Sequence, residues 1–201
     1  MKIVIEGETM MAPKNKFSKE QIVDAAFHIA KTDGMDSITI RKVADQLGSS
    51  IAPIYVNFND VQELKQAVVK KVVNVSHHLL NENNTGNPFS DIGVTSLQFA
   101  KMYPVLFRDF VMKQNDYLLD YDQEMENSLV THMKKDSELE DFTDEELQTI
   151  LFKMRAFQMG ISVMVANGLF PEKVGIEKMK EMLDSVAEDI VTATHLRKKK
   201  E

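Results

Sequence analysis

Apolar residues recur at helical spacing through most of the chain, and the breaks between runs fall at capping signals. Ser18 with Gln21 three residues on forms a capping box. Ile22, Ala25, Ala26, Ile29 and Ala30 then follow on one helix face, with Phe27 alongside. Gly34 is expected to stop this helix as a left-handed cap. Thr39 caps a second, short helix whose apolar face is Ile40, Val43, Ala44 and Leu47, interrupted by Gly48-Ser49-Ser50. A third short segment, Ile51 to Val56, leads to Phe58. Asn59 or Asp60 starts a longer helix through Leu64, Ala67, Val68, Val72 and Val75, and the polar run 81–87 reads as a loop.

The rest of the chain is helical in pattern almost throughout. Ser90 caps one predicted helix, and Pro104 suits the first turn of the next, which carries Val105, Leu106, Phe107, Phe110 and Val111. A further helix is expected over 122–135, before the acidic connector Glu138–Asp141. Thr143 with Glu146 is a second capping box; it launches an apolar helix from Leu147 to about Asn167, ended by Gly168. A last helix shows Met179, Met182, Leu183, Val186 and Ile190. No segment of useful length alternates at strand period. The fold class is all-α: a mobile arm (1–16), a three-helix helix-turn-helix domain (17–65), and a larger helical domain (66–201) joined to it by a long helix.

Three short helices, the second and third joined by a glycine turn, form the helix-turn-helix arrangement. A helix fits the major groove, where each base pair shows a distinct donor and acceptor pattern. Net charge is −7, which by itself speaks against a nucleic-acid partner. Its distribution softens the objection, because residues 1–70 hold nine basic and nine acidic residues and the whole excess lies beyond them. Screening over about 10 Å lets an acidic body carry a locally balanced DNA face. Cysteine is absent, so disulfides, thiolate metal sites and cysteine nucleophiles are excluded. Residues 1–5 make a poor signal peptide and no apolar run reaches membrane-spanning length, so the expectation is a cytoplasmic protein without membrane contact. His77 and His78 are adjacent and make a poor metal pair; His28, His132 and His195 stand alone. No spacing supports a catalytic constellation, a metal or a cofactor.

The stretch from Gly34 to Phe58 resembles the N-terminal domain of the TetR repressor family. That family's succession of a Gly, a Thr, an Ile/Val-Ala pair, a Gly turn and a Tyr-x-x-Phe stands here as Gly34, Thr39, Val43-Ala44, Gly48 and Tyr55-x-x-Phe58, with Glu63-Leu64 following. The resemblance covers about 50 of the 201 residues. It implies that the short third helix enters the major groove, with Ser50, Ile51, Ala52 and Pro53 facing bases. It further implies that Arg41 reaches bases or backbone and Lys42 the phosphates, that the Tyr55 hydroxyl binds a phosphate, and that Asn57 assists. Thr39 is a helix cap that could also meet a phosphate. Phe58, Val43, Ala44 and Leu47 read as core. Taken without the resemblance, Tyr55 is a half-buried core tyrosine, and Arg41 and Lys42 are a solvated face.

One departure stands out. Where the family commonly places a phosphate-holding Lys just beyond Tyr-x-x-Phe, this chain has Asn59-Asp60-Val61. The reading segment also lacks Lys and Arg, so anchoring would rest on Lys14, Lys16, Arg41, Lys42, Tyr55 and helix N-termini, with a shallow salt dependence. The resemblance further implies a homodimer through the two C-terminal helices and a small-molecule effector site. Met102, Phe107, Phe110, Tyr117, Met154 and Phe157 are the lining candidates, for an apolar or aromatic ligand. The resulting expectation is a dimeric, ligand-released repressor of a palindromic double-stranded DNA operator. The competing reading is a helical interaction protein that keeps the fold without specific DNA binding.

Overall fold

The computed structural model describes residues 17–113, 127, 129–135, 137–171 and 173–199, and these are helical apart from short connections. The expected arm, Tyr117 and residues 122–126 and 128 of the expected 122–135 helix lie outside the described residues; 129–133 are helical. An N-terminal head consists of α1 (Lys19–Asp33), a 3₁₀ turn (Met35–Ser37), α2 (Ile40–Gln46) and α3 (Ala52–Asn57). The 22-residue α4 (Val61–Glu82) runs from the head into the body, a length of about 33 Å at 1.5 Å per residue. The body holds α5 (Pro88–Met102), α6 (Pro104–Phe107), a π-helical turn (Arg108–Met112), α7 (Asp144–Ala166) and α8 (Ile176–Lys198). Helices α5, α7 and α8 pack on one another, while α1 packs on both α4 and α6.

The capping boxes form as expected. Ser18 Oγ accepts the Gln21 N–H at 3.2 Å while Gln21 Oε1 takes the Ser18 N–H at 2.9 Å. Thr143 and Glu146 do the same at the start of α7. The same glycine stop ends α2 and α7. Gly48 and Gly168 take φ of +60° and +65°, and the next residue's N–H returns to a carbonyl of the last turn, Ser49 to Ala44 at 2.9 Å and Leu169 to Met164 at 2.8 Å.

Two local expectations need correction. Gly34 ends α1 at φ +91°, ψ 164°, an extended glycine-only conformation rather than a left-handed cap, because the chain turns directly into the 3₁₀ turn through the Ser37 N–H to Gly34 carbonyl bond. And α5 starts before Ser90: Asn87 Oδ1 accepts the Ser90 N–H, with Pro88 filling the first turn where no N–H is needed.

The main core runs through head and body without a break. Ile22, Ala26, Val43, Ile54, Phe58 and Leu64 of the head side join Phe99, Ala100, Leu106, Phe107 and Ala166 of the body in one buried cluster. Each fully buried large side chain contributes roughly 1.5–3 kcal/mol. Two further clusters fill the body, one around Leu147, Ile150, Leu151 and Met154, the other around Leu97, Ile161, Met179 and Leu183.

Among the described residues one helix, α7, is long and apolar enough to cross a membrane by length and composition, which amends the expectation that no run qualifies; 39% of its most apolar stretch is buried. The reason is that α7 is apolar on two faces. Leu147, Ile150, Leu151, Met154 and Ile161 are buried, whereas Phe152 is 73% exposed and Met164 39%.

Glu146 couples the start of α7 to the end of α8. Its carboxylate accepts the Thr143 N–H at 2.7 Å and lies 3.1 Å from Lys198 Nζ. The Thr143 amide, first, and Lys198 hold the Glu146 carboxyl below its ordinary value of 4.5. A carboxyl depressed by folding contributes its full stabilisation above the unfolded value and loses it as pH falls through the folded one. Denaturant melts of wild type and Glu146→Gln should therefore differ at neutral pH and converge well below pH 4.5. A gap that stays constant across that range would assign the difference to packing instead.

Candidate nucleic-acid interface

The α2–α3 unit is built from the residues that the turn demands. Thr39 Oγ1 accepts the Lys42 N–H at 3.1 Å, so Thr39 is the cap of α2. At Gly48 an added Cβ would meet nothing within 4 Å, so the requirement there is the positive φ alone, about 1–2 kcal/mol for other residues. Ile54 (0% exposed) and Phe58 (1%) anchor α3 from beneath, against Val43 and Ala44 in the same cluster; Leu47 packs at its edge. With those positions facing in, the other side of α3 faces out.

That outer side carries Ser50, Ile51, Ala52, Tyr55 and Val56, all exposed. Ile51, Tyr55 and Val56 are large apolar side chains left in water on a six-residue helix, at 48%, 53% and 65% exposure. Thr39, Arg41 and Lys42 are exposed on α2. Neither the Arg41 guanidinium nor the Tyr55 hydroxyl has a hydrogen-bond or ion-pair partner among the described residues. Lys42 Nζ stands 3.9 Å from Asp33, a loose surface pair of little energetic weight. Pro53 and Asn57 are half-buried, and Asn57 Nδ2 donates to the Pro53 carbonyl at 2.9 Å, so one of its donors is turned inward. Val56 was missed in the sequence. Its signal is a large apolar residue two positions from buried Ile54 and Phe58, off their phase.

The Asn59-Asp60-Val61 departure has a local cause. Asp60 is the N-cap of α4, its Oδ1 accepting the Gln62 and Glu63 N–H groups at 2.8 and 2.9 Å. Glu63 reaches back to the Asn59 N–H at 2.9 Å, and that bond, first, with Lys19 nearby holds its carboxyl below the ordinary value. The charge of Asp60 is thus engaged by a helix N-terminus.

The effector candidates do not converge. Met102 is exposed at the end of α5, Phe107 and Phe110 are buried in the shared core, Phe157 packs beside Ile161, and Tyr117 lies outside the described residues. Among the described candidates, Met154 lines a cavity. That cavity, of about 700 Å³, opens between the 129–139 segment, α7 and α8, at the end of the body that includes Gly86 and Asn87. Leu129, Met133, Leu139, Met154, Ala187 and Val191 give it apolar walls, with His132, Lys135, Glu138, Asp184 and Glu188 among them. Asp184 is engaged by Lys180 at 2.6 Å and by Ser90 Oγ at 3.2 Å. Glu188 has no such partner among the described residues. Of the other histidines, His78 pairs with Glu82 at 3.2 Å, and His195 meets the Glu138 carbonyl, 57 positions away, at 3.0 Å.

No family model matches the chain. An uncharacterised HTH-type transcriptional regulator of Mycobacterium tuberculosis is 32% identical over 76 residues, 38% of this chain and 35% of that protein. The HTH-type nicotine-responsive transcriptional repressor of Paenarthrobacter nicotinovorans is 31% identical over 55 residues, 27% of this chain and 28% of the repressor. The chain thus spans about a third of the length of the curated relatives it matches. Among solved structures, a TetR-like transcriptional regulator from Rhodococcus sp. RHA1 aligns over 88% of this chain and 96% of its own, with a TM-score of 0.64 at 14% identity. The chain therefore carries the TetR-type fold with its N-terminal helix-turn-helix, and part of its sequence is related to helix-turn-helix transcriptional regulators.

Proposed function

We propose that the chain is a ligand-responsive transcriptional repressor that binds a palindromic DNA operator as a homodimer and is released by a small apolar or aromatic effector. It acts in the cytoplasm, where the DNA is. The observation that carries this reading is the outer face of α3. Exposed Ile51, Tyr55 and Val56 stand there beside an unpartnered Arg41, on a helix anchored from below by Ile54 and Phe58. Ser50, Ile51, Ala52 and Pro53 read base edges through methyl and shape contacts, while Tyr55, Arg41, Lys42, Thr39 and Asn57 serve the phosphates.

The outer face of α7 supports the homodimer. Phe152, Ala156, Gly160 and Met164 recur every four residues and all are exposed. A Cβ at Gly160 would meet nothing within 4 Å of its own chain, which leaves room for the backbone of a second copy. Met182 and Leu196 extend apolar surface onto α8. The paired α7 and α8 helices would form a four-helix bundle. The 700 Å³ cavity supports the effector site: its walls suit an apolar or aromatic body, and Glu188 would attract a positive group. Effector binding favours a dimer whose heads no longer match successive major grooves, roughly 34–36 Å apart.

The direct test is a mobility shift of the purified protein on its own upstream DNA. A palindrome-dependent, salt-sensitive shift at micromolar protein is expected. Its absence would favour the helical interaction protein. Tyr55→Phe and Arg41→Ala should each weaken binding about tenfold, the loss of one charge-assisted hydrogen bond. Arg41→Ala should also reduce the already shallow salt slope by about one.

Sedimentation of Phe152→Asp should show monomers where wild type sediments as a dimer, and Gly160→Arg should do the same by filling the gap. Dimers persisting in both variants would move the interface elsewhere. For the cavity, Ala187→Trp should abolish the melting-temperature shifts produced by a panel of small aromatic and alkyl amines. Equal shifts in wild type and variant would sink this assignment.

A further inference from the structure

The head meets the body through an apolar surface and a polar contact of a different character. The apolar part includes the Phe27–Tyr103 ring contact, with centroids 6.0 Å apart, and the shared cluster with Leu106 and Phe107. Apolar attraction is itself non-directional, so the sharper directional restraint on the head comes from the polar contact. The polar contact is made by Asp109, in the π-helical turn after α6, and it is buried at 7% exposure. Its Oδ2 accepts the Met35 N–H at 2.6 Å, across 74 positions of sequence. Its other oxygen pairs with Lys113 Nζ at 2.6 Å, and that ammonium also lies 3.6 Å from Asp36 Oδ2. Met35 and Asp36 belong to the 3₁₀ turn between α1 and α2, so both interactions grip the same turn of the head.

Gly34 makes the approach possible. A Cβ there would sit 2.7 Å from Asp109 Oδ2, in addition to the φ of +91° that the position demands. The residue before Asp109 reaches in the other direction: Arg108 Nη1 donates to the Ala166 carbonyl at 3.0 Å, in the last turn of α7. Consecutive side chains of one turn therefore hold the head and the end of α7. Short charge-assisted hydrogen bonds are directional where the apolar surface is not.

We propose that Asp109 is the positioning residue that fixes the orientation of the head on the body, and that the Arg108–Met112 turn couples that orientation to the C-terminal end of α7. The orientation claim rests on the geometry of this chain alone. Its consequence for DNA, that the pin sets the distance between two reading heads, rests on the function proposed above.

The absence of cysteine allows a clean test, because Gln46→Cys on α2 and Glu177→Cys on α8, both exposed, carry the only two spin labels. Pulsed distance measurements on the full chain, diluted with unlabelled protein, should give one narrow head–body distribution. Asp109→Ala should broaden it and lower the exchange protection of the Met35 amide by roughly tenfold, the equivalent of one lost hydrogen bond. Asp109→Asn should stay narrow, since the amide oxygen still accepts the Met35 N–H. Protection of the Val43 amide, in the head's own core, should not change. A distribution as narrow in Asp109→Ala as in wild type would overturn the proposal. So would a broadened one accompanied by lost Val43 protection, because the residue would then hold the head folded rather than turned. On a palindrome selected from random-sequence DNA with wild-type protein, Asp109→Ala should lose discrimination against spacings altered by one base pair. Failure of wild type to select any palindrome would count against the DNA reading and leave the distance result standing.

Discussion

A three-helix head of about 40 residues has too little interior to close a core on itself. α1 has apolar residues on more sides than α2 and α3 can cover, and the remainder is covered by α4 and α6. Ile22, Ala26 and Ile29 therefore share a cluster with Phe99, Leu106 and Phe107. Helix α3 inherits its stability from a core that is shared with the body. Any change that re-seats α6 is felt beneath Ile54 and Phe58, because close-packed interiors transmit small displacements rather than absorb them. The shared core and the Arg108–Met112 turn are therefore both routes by which a displacement in the body reaches the head.

Elements specified by neighbours in sequence were legible in advance. The capping boxes at Ser18 and Thr143, the cap at Thr39 and the glycine stops at Gly48 and Gly168 depend on residues within a turn of each other, and each appears where its chemistry requires. The start of α5 was displaced because Asn87 and Ser90 are both competent caps; Pro88 decides between them by fitting the first turn. Contacts set by topology were not legible. Nothing near Asp109 in sequence announces a partner at Met35, and the walls of the cavity come from four segments separated along the chain. Met102, Phe107, Phe110, Met154 and Phe157 are alike in chemical type, yet helix phase sends them to different clusters and to the surface.

Asp60 shows how one position can be drawn between two tasks. As the first residue before a 22-residue helix it satisfies two backbone donors that would otherwise have only water. A lysine at that corner could meet a phosphate but could not accept those bonds. The chain has committed this corner to holding α4 in place, and α4 carries the head. Local order at the corner is thus gained where direct attraction for an anion is forgone.

The unpartnered groups on the outer face of the head bear on the cost of association. Arg41 and the Tyr55 hydroxyl have no bonds to surrender among the described residues, and the backbone under Tyr55 is clamped by Ile54 and Phe58. Contact with a ligand as large as a duplex would then displace water from these groups without dismantling anything inside the protein. The main expense left is the ordering of a few side chains. A surface so prepared would bind as a rigid body, and its selectivity would come from shape already present before the encounter.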